Sequence, residues 1–290
     1  MNATSTTSYL VVGAGGMLGH DLMSALQGRD VTPATRADFD VTDADAVRRA
    51  VAGHDVVINA SAYTAVDAAE SDEDRAYAVN AVGPANLARA AAEHGAVLVQ
   101  VSTDYVFDGS ATAPYAELAP THPESAYGRT KAAGERLALE HNPDGTLIIR
   151  TAWLYGASGG NFVKTMARLA GERETLTVVD DQIGQPTWSA DLAQRIIDLL
   201  DTGTRSGIFH ATNAGQTSWC GFARAIFGGL GLDPARVQPI SSDQFVLPAP
   251  RPAWSVLGHD GWAPTGLPPM RPWEEALTAA LDAGVASAPA

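Results

Sequence analysis

Tyr127 and Lys131 stand four residues apart in the stretch Tyr127-Gly-Arg-Thr-Lys131. At the head of a helix, that spacing puts both side chains on one face. An ammonium beside a phenol favours the phenolate and pulls its pKa down toward working pH. A phenol so tuned can pass a proton to or from a carbonyl oxygen. The pair alone is unspecific, because Tyr-x-x-x-Lys arises by chance in many helices. Two further stretches strengthen it. Ser102-Thr103 ends an apolar run upstream, and Gly13-x-x-Gly16-x-x-Gly19 stands near the start of the chain.

These residues need a frame to bring them together. Tyr9-Leu-Val-Val12 reads as a short buried strand that runs into the glycine loop, and Met17, Leu18, Leu22, Met23 and Leu26 have helical spacing after it. A strand, a glycine loop and a helix start make a dinucleotide site. Gly13, Gly16 and Gly19 let the backbone approach a pyrophosphate, with Met17 and Leu18 at the free N–H groups of the helix start. Val31–Ala34 reads as the second strand. An acid at its tip would bind the 2′-hydroxyl of NAD. Here the tip carries Arg36, either as a partner for the 2′-phosphate of NADP or as a solvated surface arginine. Asp40 and Val41 are placed to flank an adenine. Asp43 starts a helix to Ala52, and His54–Asn59 forms the next strand. It enters Ala60-Ser-Ala62-Tyr63-Thr64, whose small residues leave room for a ribose or pyrophosphate. The acidic run Glu70–Asp74 reads as a solvated face. A helix is expected over Ala76–Glu93, with Asn80 a satisfied polar residue or the holder of a water near Lys131.

Ala96–Ser102 is nearly continuous apolar sequence, as in a parallel sheet covered on both faces. Ligands collect at the carboxyl ends of such strands, and Thr103 sits at this one. Gly109–Ser125 reads as a proline-rich excursion over the site. Leu147–Thr151 is the next strand, leading to Trp153 and Tyr155. The strand–helix alternation predicts an α/β fold, a Rossmann-type doubly wound parallel sheet. Beyond Tyr155 the alternation loosens into a smaller C-terminal lobe. It holds helices over Val163–Gly171, Ser189–Leu200 (capped by Ser189), Trp219–Leu230 and Trp273–Ala283, with short strands at Leu176–Val179 and Gly207–His210. Met1–Ser8 is expected to fray, and the tail from Val285 to be disordered.

Composition limits the alternatives. The chain has 290 residues, 46% of them hydrophobic, and a formal net charge of −14. An acidic chain with no basic run is a poor match for nucleic acid or an anionic membrane. Cys220 is the only cysteine, so neither an intrachain disulfide nor a cysteine zinc site is expected, and it reads as core. The first basic residue is Arg29, so no charged n-region of a signal peptide is expected. No apolar run reaches membrane-spanning length. The expected compartment is the cytoplasm.

Taken together, the glycine loop, Ser102-Thr103-Asp104-Tyr105-Val106-Phe107, Tyr127-x-x-x-Lys131, Asn161-Phe162 and Asp181-Gln182-x-Gly184-x-Pro186-Thr187 resemble the dTDP-4-dehydrorhamnose reductases. These belong to the extended short-chain dehydrogenase/reductase superfamily. The resemblance spans roughly Tyr9 to Leu281. The glycine loop and Tyr/Lys pair are superfamily-wide, whereas the Ser-Thr-Asp-Tyr-Val-Phe and Gln-Pro-Thr stretches are more particular. The resemblance implies that Tyr127 is the general acid, that Lys131 tunes it and holds the nicotinamide ribose, and that Thr103 hydrogen-bonds the keto oxygen. It implies that Ala62, Tyr63 and Thr64 touch the cofactor, and that Asp104, Tyr105, Trp153, Asn161 and Arg251 surround the sugar nucleotide. Gln185 is a further polar group suited to the base or diphosphate. Some members hold magnesium at a dimer interface through glutamates. Here His20 and Asp21 follow Gly19, so no metal is carried over. Residues 1–155 would then be mainly the NAD(P)-binding domain and 156–284 mainly a sugar-nucleotide-binding lobe, interleaved with it, with 285–290 as tail.

The implied reaction is NADPH-dependent reduction of the C4 ketone of dTDP-4-dehydro-L-rhamnose, with NADH tolerated, by a monomer or homodimer. The alternatives are a reductase of another dTDP-4-keto-6-deoxyhexose in natural-product biosynthesis, a dehydratase or epimerase of the same fold, and a cofactor-binding regulatory subunit without chemistry. Related dehydratases follow the Thr with Asp-Glu. Here Tyr105 follows Asp104, so one carboxylate for eliminating water is missing. A pure binder would not need Thr103, Tyr127 and Lys131 together.

Overall fold

The computed structural model describes residues 7–288. β1 (Ser8–Val12) leads through the glycine loop into α1 (Met17–Ala25), followed by β2 (Asp30–Ala34), α2 (Ala44–Val51) and β3 (Val56–Asn59). Short helices α3 (Val66–Ala69) and α4 (Glu73–Tyr77) run through a π-turn (Ala78–Val82) into α5 (Gly83–His94). Then come β4 (Val97–Thr103), α6 (Ala126–His141), β5 (Thr146–Thr151) and β6 (Leu154–Tyr155). The second half carries α7 (Phe162–Glu172), β7 (Leu176–Val179), β8 (Ile183–Gly184), β9 (Thr187–Trp188) and α8 (Ser189–Asp201). It ends with β10 (Gly207–His210), β11 (Thr217–Ser218), α9 (Trp219–Gly229), β12 (Val237–Ile240) and α10 (Trp273–Asp282).

Six strands form one parallel sheet in the order β10-β5-β4-β3-β1-β2. Strand order reverses about β1, which pairs with both β2 and β3. That is the switch point where doubly wound sheets open a crevice at their carboxyl ends. Side chains alternate faces along each strand. Tyr9, Val11, Ile58, Val99 and Ile149 pack under Leu18, Leu22, Leu192 and Ile196 of α1 and α8. Leu10, Val12, Val57, Leu98 and Ile148 pack against Val47, Leu87 and Ala88 of α2 and α5. Both faces are therefore dry, which explains the unbroken apolar strands. β10 comes from the second half of the chain, so the two halves interleave at the sheet edge.

The smaller lobe has its own core of Tyr155, Val163, Met166, Phe222, Phe227, Val237 and Trp273, which also takes Cys220. No helix among the described residues is long and apolar enough to cross a membrane.

Several details depart from the sequence reading. The expected helix over Ala76–Glu93 begins at Glu73 and is broken by the π-turn around Asn80. Asn80 is a satisfied polar residue, its amide bonded to the Tyr63 backbone and the Thr130 hydroxyl. Ser189 is the first helical residue of α8 rather than its cap. Its hydroxyl donates to the Asp21 carboxylate, and Trp188 takes the cap position. The tail is ordered beyond its expected start. Val285 is 3% exposed in the lobe core, its N–H donates to the Ala280 carbonyl, and Ala286 packs beside it. At the other end Ser8 already belongs to β1, while Met1–Thr6 and the final Pro289-Ala290 lie outside the described residues.

Candidate active site

A cavity of about 840 Å³ opens at the carboxyl ends of the strands. At one end the backbone forms a cradle. Gly13 adopts φ +85°, and a Cβ there would stand 2.8 Å from the Ser61 nitrogen. A Cβ at Gly19 would drive into the Gly13 carbonyl, so that glycine holds α1 close beneath the loop rather than lining the cavity. Gly16 caps α1 with no side-chain acceptor, which leaves the first N–H groups of the helix free for an anion. Gly16, Met17, Leu18, Arg36, Asp40, Val41, Ala60, Ala62, Tyr63 and Thr64 all line this end. Arg36 and Arg75 are exposed, and neither forms a salt bridge among the described residues. A chain of net charge −14 thus turns a locally cationic wall toward the cavity. These groups fit a dinucleotide, with room beside small residues and two exposed arginines on the wall.

The other end gathers Thr103, Tyr127 and Lys131. Ser125 caps α6 by accepting from the Gly128 N–H at 3.1 Å, and Glu70 accepts from the Ala126 N–H at 2.8 Å. Gly128 lies so close to the Tyr105 carbonyl that any Cβ would displace it. The segment after β4 therefore seats directly on the first turn of α6. This contact places Thr103 against Tyr127, and the Tyr105 ring meets the Tyr127 ring edge-on at 5.7 Å. The π-turn braces the opposite side. Asn80 accepts from the Tyr63 N–H at 2.8 Å and donates to the Thr130 hydroxyl at 3.1 Å, and Thr130 in turn donates to the Tyr127 carbonyl at 2.9 Å.

The electrostatics differ from the sequence expectation. Burial pushes the Tyr127 phenol above its ordinary value, the Asp104 carboxylate adds to the rise, and the Thr103 hydroxyl opposes it. The expected lowering by Lys131 is absent, because the ammonium turns to the Val101 carbonyl 2.6 Å away. Burial pulls Lys131 itself down to about 8, against the upward pull of Glu135. Tyr127 thus holds its proton at neutral pH, as a proton donor must. Asp104 is 2% exposed and pushed up to about 6 by burial, against the hydroxyls of Ser255, which faces the carboxyl, and of Thr103, which is bonded to it. Ser102 Oγ and Thr151 Oγ1 are buried without hydrogen-bond partners among the described residues, and both residues line the cavity.

Thr103, Asp104, Tyr105, Tyr127, Lys131 and Trp153 are brought together here. Trp153 has φ +45°, the one positive φ outside glycine among the described residues. Its indole stacks on Trp219 with centroids 3.6 Å apart and planes 8° from parallel, and Gly184 packs against it too tightly to admit a Cβ. Asn161, Gln185 and Arg251 are not brought to the cavity wall. Asn161 caps α7 and donates to the Gly156 carbonyl at 2.8 Å. Gln185 is buried and clamps the Leu257 backbone through both amide atoms. Arg251 pairs with Asp67 at 2.8 Å beside a small recess that also touches Tyr105. Sequence reasoning missed Arg75, Ser102, Thr151 and Trp219 as lining residues. Arg75 directly follows the acidic run read as a solvated face. Trp219 gave only the signal of an aromatic opening a helix.

The family model described as the RmlD substrate binding domain matches residues 7–285. A dTDP-4-dehydrorhamnose reductase from Streptomyces griseus is 52% identical, with 95% of this chain and 93% of that protein covered. A dTDP-4-keto-6-deoxy-D-glucose reductase from Streptomyces niveus is 49% identical, with 95% and 97% covered. The crystal structure of dTDP-4-dehydrorhamnose reductase from Bacillus anthracis in complex with NADP superimposes with a TM-score of 0.92 at 39% identity, covering 96% of this chain and 99% of that one. Fold, cavity and relatives agree, and the chain belongs to the RmlD substrate-binding-domain family, the family of the dTDP-4-dehydrorhamnose reductases.

Proposed function

We propose that this chain reduces the C4 ketone of dTDP-4-dehydro-L-rhamnose to dTDP-L-rhamnose and prefers NADPH over NADH. The observation that carries the reading is the convergence of Thr103, Tyr127 and Lys131 at one end of a cavity whose other end is a glycine cradle with free arginines. Bound NADPH would supply hydride to the carbonyl carbon. Tyr127 gives its proton to the carbonyl oxygen as negative charge develops there. Its raised pKa keeps that proton in place until the oxygen becomes basic enough to take it. Lys131, anchored at the Val101 carbonyl on the same wall, would hold the nicotinamide ribose rather than tune the phenol. Thr103 holds the carbonyl oxygen. Arg36 and Arg75 suit the extra phosphate of NADPH, and Trp153 with Trp219 walls the sugar side.

Elimination of water would require a second acid–base carboxylate beside Asp104. Tyr105 occupies that place, and the nearby Asp67 does not line the cavity. A second reading has specific support from the relative named as a dTDP-4-keto-6-deoxy-D-glucose reductase. In it the same ketone chemistry acts on a sugar that has not been epimerised.

The test couples purified protein and NADPH to the upstream dehydratase, with and without the epimerase, starting from dTDP-glucose. The expected product needs the epimerase and is a 6-deoxyhexose nucleotide heavier than the keto sugar by two hydrogens. Turnover without the epimerase supports the second reading. NADPH oxidation with a simple ketone but not with either sugar nucleotide refutes both.

A further inference from the structure

The hydrogen bonds around Thr103 give its single proton two mutually exclusive uses. A threonine hydroxyl has one proton and two lone pairs. The Tyr105 N–H donates to Thr103 Oγ1 at 3.2 Å and takes one lone pair. Asp104 Oδ1 stands 2.9 Å from the same oxygen, and Tyr127 faces it from α6. An ionised carboxylate can only accept. If Asp104 is ionised, the Thr103 proton goes to it, and the remaining lone pair turns toward Tyr127. The phenol proton is then drawn to Thr103, away from any carbonyl oxygen in the cavity. If Asp104 is neutral with its proton on Oδ1, it donates to Thr103. Both lone pairs of Thr103 are filled, and its own proton is free for the carbonyl oxygen.

We infer that Asp104 is a positioning residue whose protonation sets the direction of the Thr103 hydroxyl, so that only the neutral acid lets Thr103 donate to the keto oxygen. This rests on the reductase reading given above. The surroundings of Asp104 favour the neutral form. The group is 2% exposed, and its Oδ2 makes no hydrogen bond of normal geometry, although Ser255 faces the carboxyl. A buried carboxylate with a bare oxygen is costly. The groups that face it are Thr103 and Tyr105 on its own segment, Tyr127 from α6 and Ser255 from the C-terminal segment. The charges of Arg251 and Asp67 reach this corner beyond the Tyr105 ring, and their signs oppose. Lys131 is turned away to the Val101 carbonyl. Cofactor and sugar will exclude water and raise the ionisation further.

The test is the pH dependence of kcat/KM for the keto sugar nucleotide between about pH 5 and about pH 7.5. In the wild type, kcat/KM should fall about tenfold per pH unit above one ionisation at or above about 6. In Asp104→Asn the amide donates to Thr103 at every pH, so the limb should vanish and the profile should lie flat. A second measurement needs neither turnover nor a folded variant. Infrared titration of the wild type in the same range should show a neutral-carboxyl C=O band that disappears over that ionisation. Superimposable profiles for wild type and Asp104→Asn, a flat wild-type profile, or the absence of the band would overturn the inference. Absence of NADPH oxidation by the wild type at any pH would instead overturn the reductase reading, and the infrared band would still report on Asp104.

Discussion

At the scale of single residues, the proposed mechanism gives Tyr127 the proton and Lys131 the charge. Tyr127→Phe should lower kcat by about two to four orders of magnitude, the range of a positioned acid, while NADPH still binds by fluorescence titration. Near-normal turnover would mean that another group is the acid. Lys131 is charged below about 8 and neutral above it. Its attraction for an anionic cofactor is therefore present below that pH and lost as pH rises through it. NADPH affinity should weaken across about pH 8, and Lys131→Met should bind weakly and show no such dependence. Calorimetric titration in steps of pH checks both. Arg36→Ala should raise the KM for NADPH more than that for NADH, and equal effects would remove it from the 2′-phosphate. That these residues meet at one cavity was legible in the sequence, because a phenol, a cation and a glycine loop are recognised by side-chain type and local spacing. Their electrostatics were not legible. The Tyr127 phenol moves up rather than down because burial and the Asp104 charge raise it, while the ammonium expected to lower it meets a carbonyl of β4, all set by the packing of α6 on the sheet.

At the scale of elements, the fold was readable where one element defines itself. Alternating faces of β1, β3, β4 and β5 came from unbroken apolar runs, and Asp43 does cap α2 through the N–H groups of Asp45 and Ala46. Residues whose partners come from distant elements were read less well. Asn161 and Gln185 are polar and follow strands, yet one caps α7 and the other clamps Leu257. Trp153 and Trp219 show the same limit. Sequence alone puts Trp153 at the sugar only through the resemblance and Trp219 only at the start of a helix, and the tertiary fold stacks them into one wall. Trp219 and Gly184 together hold an indole whose backbone sits at φ +45°, a strained conformation of the kind that marks ligand clamps. An aromatic pair contributes about 0.5–1.5 kcal/mol beyond its burial, which corresponds to roughly a 2- to 10-fold change in affinity. Trp219→Ala should raise the sugar KM by about that factor and leave the NADPH KM unchanged, with Trp219→Phe retaining most of the wild-type value. The stacked indoles should also give a coupled circular dichroism signal that Trp219→Ala abolishes. A loss of several kcal/mol in stability, typical of truncating a core tryptophan, with an unchanged sugar KM would make the pair purely structural.

At the scale of the whole molecule, the C-terminal segment is strapped back onto the N-terminal half. Asp67 on α3 accepts from the Ala249 N–H at 3.1 Å and from Arg251 at 2.8 Å. Asp181 holds Ser241 and Ser242 at the other end of that stretch. The buried Glu135–Arg150 pair, with Arg150 also against His210 and the Glu117 carbonyl, ties α6 to the sheet edge and to the excursion before it. The strap and this inner tie differ in strength. Glu135 and Arg150 are nearly sealed from solvent, and breaking one partner of such a pair costs about 3–5 kcal/mol. Arg251 and Asp67 are 17% and 40% exposed, and pairs of this kind contribute only about 0–1 kcal/mol. Arg251 therefore exchanges partners at little cost, and a diphosphate offers it a stronger bidentate acceptor than one carboxylate. On this account Asp67 competes with the sugar nucleotide for Arg251. Asp67→Ala should lower the KM for the sugar nucleotide a few-fold, and Arg251→Ala should raise it about tenfold or more, the loss of a charge-assisted hydrogen bond. The kcat of both should stay near wild type, since neither side chain lines the end that holds Tyr127. Steady-state kinetics on the two single variants and the double variant decide the matter. If Asp67 acts only through Arg251, the double variant should match Arg251→Ala. If both single variants raise KM equally and lower the melting temperature together, the pair only fastens the segment in place, and the diphosphate is held by other groups.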